Sequence, residues 1–461
     1  MLGLRTSWPE LDCAFDIALA DLAFNIRPFR AGLLEREAPV FLAGESYGTP
    51  WTRDAAINVW NGGGLLHPEV SRNTLLSVLE RRDGELRIGG EYWDAVVWAP
   101  GAWFLYLATG DRDFLGLALE ATRNSLAHFE RTEFDAELGL FRGAAVYGDG
   151  IAAYPDVYAD AGHHNIMGWR DLNPAALAAP GEGLPMHALS TNCAYVHAYE
   201  LAGLMTAELG MSADPAWAAQ ASLLREAVDR HFWLPERGHY RYLVDPHGDS
   251  DVQEGLGHAF AILFGIADAT QRTSILSVQH VTPAGLPCLW PPFSRYVRDG
   301  HVGRHSGTVW PPIQAFWAEA AAQGGRGDLV GHELAALARH AVRDGQFFEL
   351  YHPETGMPYG GLQERAGAAV ELWDPVGHQT WSATGFLRIV LAVVAGMRLA
   401  PDGVRFGPLL PPGLDELELT GLPYRALTID LRVARGAATN RELPFVPADE
   451  AGHRLVEVIV A

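Results

Sequence analysis

Cysteine is scarce in this sequence, with three residues in a chain of 461. Cys13, Cys193 and Cys288 are odd in number, lie far apart and form no C-x-x-C pair. This spacing argues against a disulfide framework and against a zinc site. We therefore expect buried free thiols and no bound metal.

Basic residues are fewer than acidic ones, and long hydrophobic runs are lacking. Arginine and lysine together number 34 against 56 aspartates and glutamates, which gives a formal net charge of −22. Nucleic acids and anionic membranes would repel such a chain, so we expect neither as a partner. No uncharged apolar stretch is long enough to span a bilayer, and residues 1–9 lack the pattern of a signal peptide. These absences predict a soluble, cytoplasmic protein.

Strand-like runs are scarce before residue 400, whereas helical periodicity recurs throughout that region. Apolar residues make up 48% of the chain and charged residues 20%, as in a folded globular protein. In the first periodic segment, Leu11, Phe15, Ala18 and Leu22 recur at helical spacing, with aspartates on the other side. The six amphipathic helices predicted in this way lie at about 9–27, 69–81, 112–130, 214–231, 268–277 and 327–344.

Six further apolar runs each follow a short stretch rich in polar or aromatic residues. The stretches are 51–54, 91–94, 190–192, 253–255, 305–310 and 378–381. A helix without a polar face is usually buried, so alternation of half-exposed and buried helices predicts two concentric rings, an all-α (α/α)6 toroid. The six polar tips, gathered at one end of the inner ring, would form a bowl whose best ligand is a sugar.

The character of the sequence changes after Pro401. Short alternating or β-branched runs at 404–406, 416–419, 426–432 and 455–460 are separated by turn residues. We therefore predict a barrel domain over residues 1–400 and a small antiparallel β-domain over 401–461. Within the barrel, long loops at about 132–187, 279–306 and 346–378 are expected to carry function.

Trp51 and Asp54 open the first buried helix and are three residues apart, so they lie on one face. An indole ring can stack on the C–H face of a sugar, and a carboxylate accepts hydrogen bonds from its hydroxyls. The alternative is that Asp54 only caps the helix and pairs with Arg53. The pattern by itself leaves both interpretations open.

Four segments carry longer motifs. Residues 50–55 read Pro-Trp-Thr-Arg-Asp-Ala, and residues 305–311 read His-Ser-Gly-Thr-Val-Trp-Pro. Residues 348–356 read Phe-Glu-Leu-Tyr-His-Pro-Glu-Thr-Gly and are followed by Gln-Thr-Trp-Ser-Ala at 379–383. Together with residues 98–111, these segments resemble the six-hairpin glycosidases, a group that includes glucoamylases and amylo-α-1,6-glucosidases. The closing pair is most similar to glycoside hydrolase families 63 and 37, and the resemblance spans about residues 40–400.

The resemblance implies an inverting mechanism with two carboxyl groups. One donates a proton to the leaving oxygen, and the other activates a water molecule on the opposite face of the sugar; the two stand about 6.5–9.5 Å apart. The resemblance places the base at Glu349, with Glu354 and Glu371 as alternatives.

The resemblance places the acid in the loop between the second and third inner helices, where relatives have an E-S-G-x-D-like stretch. This chain has Val-Tyr-Gly-Asp-Gly-Ile at 146–151 and lacks the Glu-Ser-Gly. Asp149 is the candidate acid, and an apolar pocket beside Tyr147 and Tyr154 would raise its pKa as an acid requires. A Gly-Asp-Gly surface turn is the alternative, and Asp156 and Asp160 are rival acids.

Further residues at the helix tips are candidates for substrate binding. Asp94 is expected to hold sugar hydroxyls, and His305 and Gln379 are expected to do so or to cap helices. The candidate stacking platforms are Trp93, Trp290, Trp310 and Trp381, although a tryptophan is more often part of a core. Asp245, Asp249 and Asp251 lack the full spacing of a calcium loop, so a solvated turn is preferred there.

The sequence thus predicts an inverting, exo-acting glycoside hydrolase for small α-glucosides or related α-glycosides, such as short oligosaccharides or glycosylated compatible solutes. No cofactor is required, and a monomer or a homodimer is compatible with the sequence. A sugar epimerase or isomerase using His258 and His378 is the main alternative. A phosphorylase would need a basic pocket, and a binding protein with a defunct site is the non-enzymatic alternative.

Overall fold

Twelve helices alternate between an outer and an inner ring along the chain. The computed structural model describes residues 2–159, 163–172, 183–212, 214–365, 370–437 and 442–460. The outer helices are α1 (Pro9–Phe24), α3 (Pro68–Ser77), α5 (Arg112–Thr132), α7 (Pro215–Phe232), α9 (Ala269–Val278) and α11 (Gly327–Asp344). The inner helices are α2 (Thr52–Asn58), α4 (Trp98–Thr109), α6 (Leu189–Glu208), α8 (Gly255–Leu263), α10 (Pro311–Gln323) and α12 (Thr380–Arg388).

The inner helices form a closed ring. Each one contacts the next along the chain, and α12 returns to α2. The first outer helix, α1, packs against α11 and α12 and so joins the two ends of the barrel. The outer helices are amphipathic: in α11, Val330, Leu334, Leu337 and Ala341 are buried along one face. The (α/α)6 fold predicted from periodicity is therefore confirmed, and each polar tip stands at the start of an inner helix or, for residues 91–94, in a helical turn at Tyr92–Ala95 just before α4.

Two inner helices continue into π-helical turns at their C-terminal ends, and short helices occupy the loops. The π-helical segments are Val59–Gly63 after α2 and Ile389–Val394 after α12. The short helices are Gly64–Leu66, Tyr92–Ala95, Ile151–Ala153, Asp156–Ala159, Met167–Leu172 and Ser294–Tyr296.

Small two-stranded sheets shape the loops between helices. Four are local hairpins, at Ile26–Phe29 with Ala38–Phe41, Leu79–Arg82 with Glu85–Ile88, Phe134–Asp135 with Leu140–Phe141, and Trp233–Leu234 with His239–Tyr240. The others join His187–Ala188 to Leu243–Val244, Gln253–Glu254 to Leu289–Trp290, and Leu362–Glu364 to Val370–Leu372. These pairings fix the long loops over the ends of the inner helices that form the site described below.

The two ends of the chain share one β-sheet. Two sheets are built from the strands β1 (Gly3–Thr6), β2 (Met397–Ala400), β3 (Gly403–Phe406), β4 (Glu416–Tyr424), β5 (Leu427–Arg435), β6 (Phe445–Pro447) and β7 (Gly452–Val460). The first sheet has the order β1-β4-β5-β7, and the second has the order β2-β3-β6. The β5–β7 pair is parallel, whereas the sequence favoured antiparallel pairing throughout, because the chain crosses over through β6 before it returns. The division at residue 400 stays a prediction, with β1 contributed from the N-terminal side of it.

Two properties expected from composition are found in the described residues. No helix there combines the length and the apolar character needed to cross a membrane. All three cysteines are free, with Cys193 and Cys288 buried. Cys13, however, is exposed, because it lies on the solvent-facing side of α1. The expectation of a buried thiol is wrong at that position.

Candidate active site

A cavity of about 370 Å³ lies at the N-terminal ends of the inner helices. Its size is in the range typical of small-molecule sites. Seven of the ten residues predicted for the site line it: Trp51, Asp54, Trp93, Asp94, Asp149, Glu349 and Trp381. The structure thus brings together side chains from α2, the turn before α4, two long loops and α12.

Arg53 is the centre of a carboxylate cluster in this cavity. Its Nη2 lies 2.7 Å from Asp149 Oδ2, its Nη1 3.3 Å from Asp94 Oδ2, and its Nε 3.9 Å from Asp54 Oδ2. The guanidinium also lies 5.7 Å from the centre of the Trp381 ring. One guanidinium therefore faces three carboxyl groups, because the first turn of α2 presents both Arg53 and Asp54 to the cavity.

The three carboxyl groups of this cluster differ in their titration. Burial raises the pKa of Asp94 to about 8 and that of Asp54 well above its usual value, although Arg53 opposes both shifts. Burial also acts to raise the pKa of Asp149, but Arg53 and His305 outweigh it and hold that pKa well below the usual range. The expectation of a raised pKa at Asp149 is therefore wrong, because a guanidinium and an imidazole lie where an apolar pocket was expected.

Close packing holds the loop that carries Asp149. The amide of Ile166 donates to the Asp149 carbonyl at 2.8 Å, and the amide of Gly150 lies 3.0 Å from His305 Nδ1. A Cβ at position 150 would stand 2.8 Å from His305 Nδ1 and 2.5 Å from Gln363 Oε1, so only glycine fits. The Gly-Asp-Gly stretch is thus a close approach of backbone to side chains inside the site.

Glu349 is held by a second cation. It is buried, its Oε2 lies 2.7 Å from Arg304 Nη2, and its Oε1 accepts a hydrogen bond from the Tyr47 hydroxyl at 3.1 Å. Burial and the nearby Glu349 charge raise the pKa of Tyr47, so this hydroxyl keeps its proton and remains a donor. The loop carboxylate is therefore fixed at both oxygens.

The rival carboxylates do not reach the cavity. Asp156, Glu354 and Glu371 are exposed and absent from its wall, and Glu371 pairs with Arg365 at the surface. Asp160 lies outside the described residues. Among the described candidates, Asp149 and Glu349 are thus the pair that shares the cavity.

Three of the ten predicted residues, His305, Trp310 and Gln379, are buried but do not line the cavity. His305 reaches Asp149 Oδ1 through Nδ1 at 2.9 Å and stacks on Trp310, with ring centres 4.3 Å apart. His305 adopts a φ of 56°, an uncommon conformation for a residue other than glycine. Gln379 is fully buried. Trp290 lies elsewhere and stacks on His280.

Several polar groups in the wall have no partner among the described residues. Within that part of the chain, the indole N–H groups of Trp93, Trp373 and Trp381 are buried without an acceptor, and Gln363 Oε1 lacks a donor. Trp51 stands at the mouth with 51% of its surface exposed. This combination of free hydrogen-bonding groups, carboxylates and open aromatic faces suits a polyhydroxylated ligand.

Sequence reasoning missed part of the wall. Tyr47, Arg304, Gln363 and Trp373 line the cavity but belong to no spacing pattern. Arg304 directly precedes the His-Ser-Gly segment, and that adjacency was the signal available for it. Gln363 and Trp373 lie in the loop 346–378, which was expected to carry function as a whole.

The isomerase and phosphorylase alternatives find no support in this geometry. His258 and His378 do not line the cavity; burial lowers the pKa of His258 to about 4, and His378 contacts Asp21 and Phe24. Both arginines of the described cavity wall already pair with carboxylates, which leaves no basic phosphate pocket there. Within the described part of the chain, no three His, Cys, Asp or Glu side chains group as a metal site, and Asp251 pairs with Arg241.

Comparisons with known proteins agree with the fold. Residues 94–382 match the family model of the mannosylglycerate hydrolase MGH1-like glycoside hydrolase domain. A family 63 mannosylglycerate hydrolase from Thermus thermophilus, solved with glucose, is similar at a TM-score of 0.61 and 17% identity over 82% of this chain and 99% of that one. No curated protein matches the chain in sequence.

Two larger proteins contain a similar fold. A sialidase aligns at a TM-score of 0.67 and 15% identity over 92% of this chain and 37% of that one. A family 78 rhamnosidase of Bacillus sp. GL1 aligns at a TM-score of 0.58 and 15% identity, over 99% of this chain and 42% of that one. The chain therefore spans less than half the length of either protein, and these likenesses concern the fold alone.

Proposed function

The chain belongs to the MGH1-like glycoside hydrolase family, and we propose that it is an inverting, exo-acting hydrolase of small α-glycosides. The observation that carries this proposal is that Asp149 and Glu349 line one cavity and are held by different arginines. Two separately anchored carboxyl groups suit a reaction that needs an acid and a base on opposite sides of one bond.

Glu349 is the proposed base. Arg304 and Tyr47 each hold one of its oxygens, so the carboxylate has a fixed direction toward the cavity. It accepts a proton from a water molecule as that water attacks the anomeric carbon. The new bond forms on the face opposite the leaving group, so an α-glycoside releases a β-sugar.

Asp149 is the proposed acid, from which the leaving oxygen takes its proton as the glycosidic bond breaks. Because Arg53 and His305 hold its pKa low, Asp149 is ionised in the resting site. The proton must therefore reach Asp149 from a neighbouring group as the bond breaks.

The other wall residues are proposed to bind the sugar. Asp54 and Asp94 would contact hydroxyls, Trp381 and Trp93 would supply indole N–H groups, and Trp51 would stack at the mouth. A cavity of about 370 Å³ supports a small glycoside as substrate in preference to a polymer. A cytoplasmic location, as expected from the sequence, fits short oligosaccharides or compatible-solute glycosides.

The charged groups of the cavity wall indicate which aglycone charge the site accepts. The described lining residues include five carboxyl groups, of Asp54, Glu91, Asp94, Asp149 and Glu349, against two guanidinium groups, which are both paired. Burial lowers the pKa of the remaining base, His164, so it is neutral. An anionic aglycone finds no free cation among these residues, and we propose a neutral one.

The test is product analysis by proton NMR. Purified protein is incubated with α-glucosides and α-mannosides, including glucosylglycerol, glucosylglycerate and mannosylglycerate, and spectra are recorded before mutarotation. Initial release of the β-anomer is expected. Initial release of the α-anomer would contradict the inverting mechanism, and interconversion of free mannose and glucose without cleavage would establish an isomerase.

A further inference from the structure

A second, smaller cavity lies behind the catalytic loop, on the far side of His305. It measures about 20 Å³, and its wall includes Glu254, His305, Trp310, Tyr147 and Cys288. Glu254 stands at the N-terminal tip of α8, where its Oε2 accepts a hydrogen bond from the amide of Ser190 at 3.0 Å. Neither Glu254 nor this cavity has a part in the proposed reaction so far.

Two buried polar atoms of the residues that line this cavity have no partner in the described part of the chain. His305 Nε2 and Trp310 Nε1 belong to lining residues that are at most 4% exposed, and each is unpartnered there. A cavity larger than about 10–15 Å³ with two to four polar neighbours can hold a water molecule. One water molecule there would satisfy these groups and connect the Glu254 carboxyl to His305 Nε2.

On its other side, His305 makes a contact that permits two proton positions. Nδ1 lies 2.9 Å from Asp149 Oδ1 and 3.0 Å from the amide nitrogen of Gly150. With a proton on Nδ1, the ring donates to the Asp149 carboxylate. With Nδ1 bare, it accepts from the Gly150 amide, and the proton then sits on Asp149. Because the neutral ring carries one proton in each state, the loss of the Nδ1 proton to Asp149 requires Nε2 to gain one.

We propose that Glu254 and His305 form a proton relay that supplies Asp149 through a water molecule in the small cavity. Glu254 gives its proton to the water, and the water gives one to His305 Nε2. Nδ1 gives its proton to Asp149 Oδ1, and Asp149 passes it to the leaving oxygen as the glycosidic bond breaks. Glu349 meanwhile takes the proton of the attacking water, so one proton is consumed and one is released in each turnover.

The titration of the surrounding groups agrees with this assignment. Burial raises the pKa of Glu254 to about 7, which leaves it a proton to donate near neutrality, and burial lowers the pKa of His305, which keeps the ring neutral with one proton. The other titratable groups around Glu254 stay neutral, because burial raises the pKa of each: Cys193, Cys288, Tyr147, Tyr154 and Tyr242.

The inference rests on the proposed glycosidase function and is tested by leaving-group dependence. Glu254→Gln should lower kcat at least tenfold for an alkyl α-glycoside, whose leaving oxygen needs a proton, and leave kcat for the 2,4-dinitrophenyl α-glycoside within about twofold. In the wild type, activity on the alkyl glycoside should fall as pH rises through about 7, because protonated Glu254 is the competent form. The Glu254→Gln variant should not show this fall in activity.

Glu333→Gln is the matched control. Glu333 is equally buried, burial raises its pKa to about 6, and it bonds to Gln314 away from both cavities. We expect the Glu333→Gln variant to keep the wild-type fall in activity above pH 7 and the wild-type ratio of kcat values for the two glycosides. If Glu254→Gln lowers kcat equally for the two glycosides, or if its activity still falls above pH 7, the relay is overturned.

A measurement on the wild type covers the case in which Glu254→Gln does not fold. The rate on the alkyl glycoside is measured as a function of the deuterium fraction of the solvent. A curved dependence is expected for several protons in flight, and a linear one would overturn the relay. If the wild type cleaves neither glycoside, the proposed function fails instead, so the two failures are distinguishable.

Discussion

Arg53 and Asp149, which are 96 positions apart in the chain, form the shortest of the three contacts that Arg53 makes with carboxyl groups, at 2.7 Å between Nη2 and Oδ2. This contact joins the first turn of α2 to the loop between α5 and α6. It fixes the candidate acid in the cavity and keeps it ionised at rest. The same arginine does not offset the effect of burial at Asp54 and Asp94, whose pKa values stay raised.

Replacement of Glu349 by glutamine should abolish most turnover. The change removes the proposed base and keeps the size of the side chain, so we expect kcat to fall by about 10²–10⁴-fold with the fold retained. Steady-state kinetics and thermal unfolding measure the two effects. Glu354→Gln is the control, since Glu354 is exposed in the same loop. Turnover near the wild-type value in Glu349→Gln would assign the base elsewhere.

Asp54→Ala should weaken both substrate binding and turnover. Asp54 is buried in the cavity wall, and its contacts to sugar hydroxyls would strengthen in the transition state. We expect kcat/KM to fall at least tenfold, measured beside the melting temperature. A large drop in melting temperature with unchanged kinetics would show that Asp54 only supports the start of α2.

Asp94 should make a contribution to stability that falls as pH rises from about 4 to 8. Its pKa is raised from 3.8 when unfolded to about 8 when folded, so the folded state binds more protons in this window and stability decreases with pH. One such proton contributes at most about 1.4 kcal/mol per pH unit. Asp94→Asn should reduce the slope of unfolding free energy against pH, measured by urea denaturation. An unchanged slope would mean that Asp94 titrates normally.

Neutral aglycones should be preferred over anionic ones. Both arginines of the described wall are paired with carboxylates, so a negative charge on the substrate finds no free cation there and is repelled by the ionised Asp149. We expect kcat/KM for glucosylglycerol to exceed that for glucosylglycerate by about tenfold or more, and the gap to narrow at high salt. A preference for the glycerate compound would contradict this charge argument.

The barrel was predictable from the sequence because the signals for it are local. In α1, Leu11, Phe15, Ala18 and Leu22 recur at the helical period, and these residues are buried in the structure. The polar tips were recognisable since each directly precedes an apolar run, and Trp51 and Trp381 do stand at the starts of α2 and α12. The chain crossover that makes β5 and β7 parallel has no such local signal.

The candidate site was predictable only in part. Glu349 was found through a motif, but its partners Arg304 and Tyr47 lie 45 and 302 positions away and meet it only in the folded chain. His305 was expected to touch the substrate directly, and it contacts Asp149 from behind. Spacing identifies residue types near a helix tip, and it carries no information on which of them face each other.

The sequence by itself determined the ring of paired helices, the end of the ring that carries the polar groups, and the carboxylates available there, because helical period and order along the chain are properties of neighbouring residues. The tertiary structure alone decided the ionisation of those carboxylates. Asp149 and Asp94 are the same residue type, both in the cavity wall, yet burial raises the pKa of Asp94 while a guanidinium and an imidazole lower that of Asp149. The distances to Arg53 and His305 set that difference, and such distances exist only once the chain is folded.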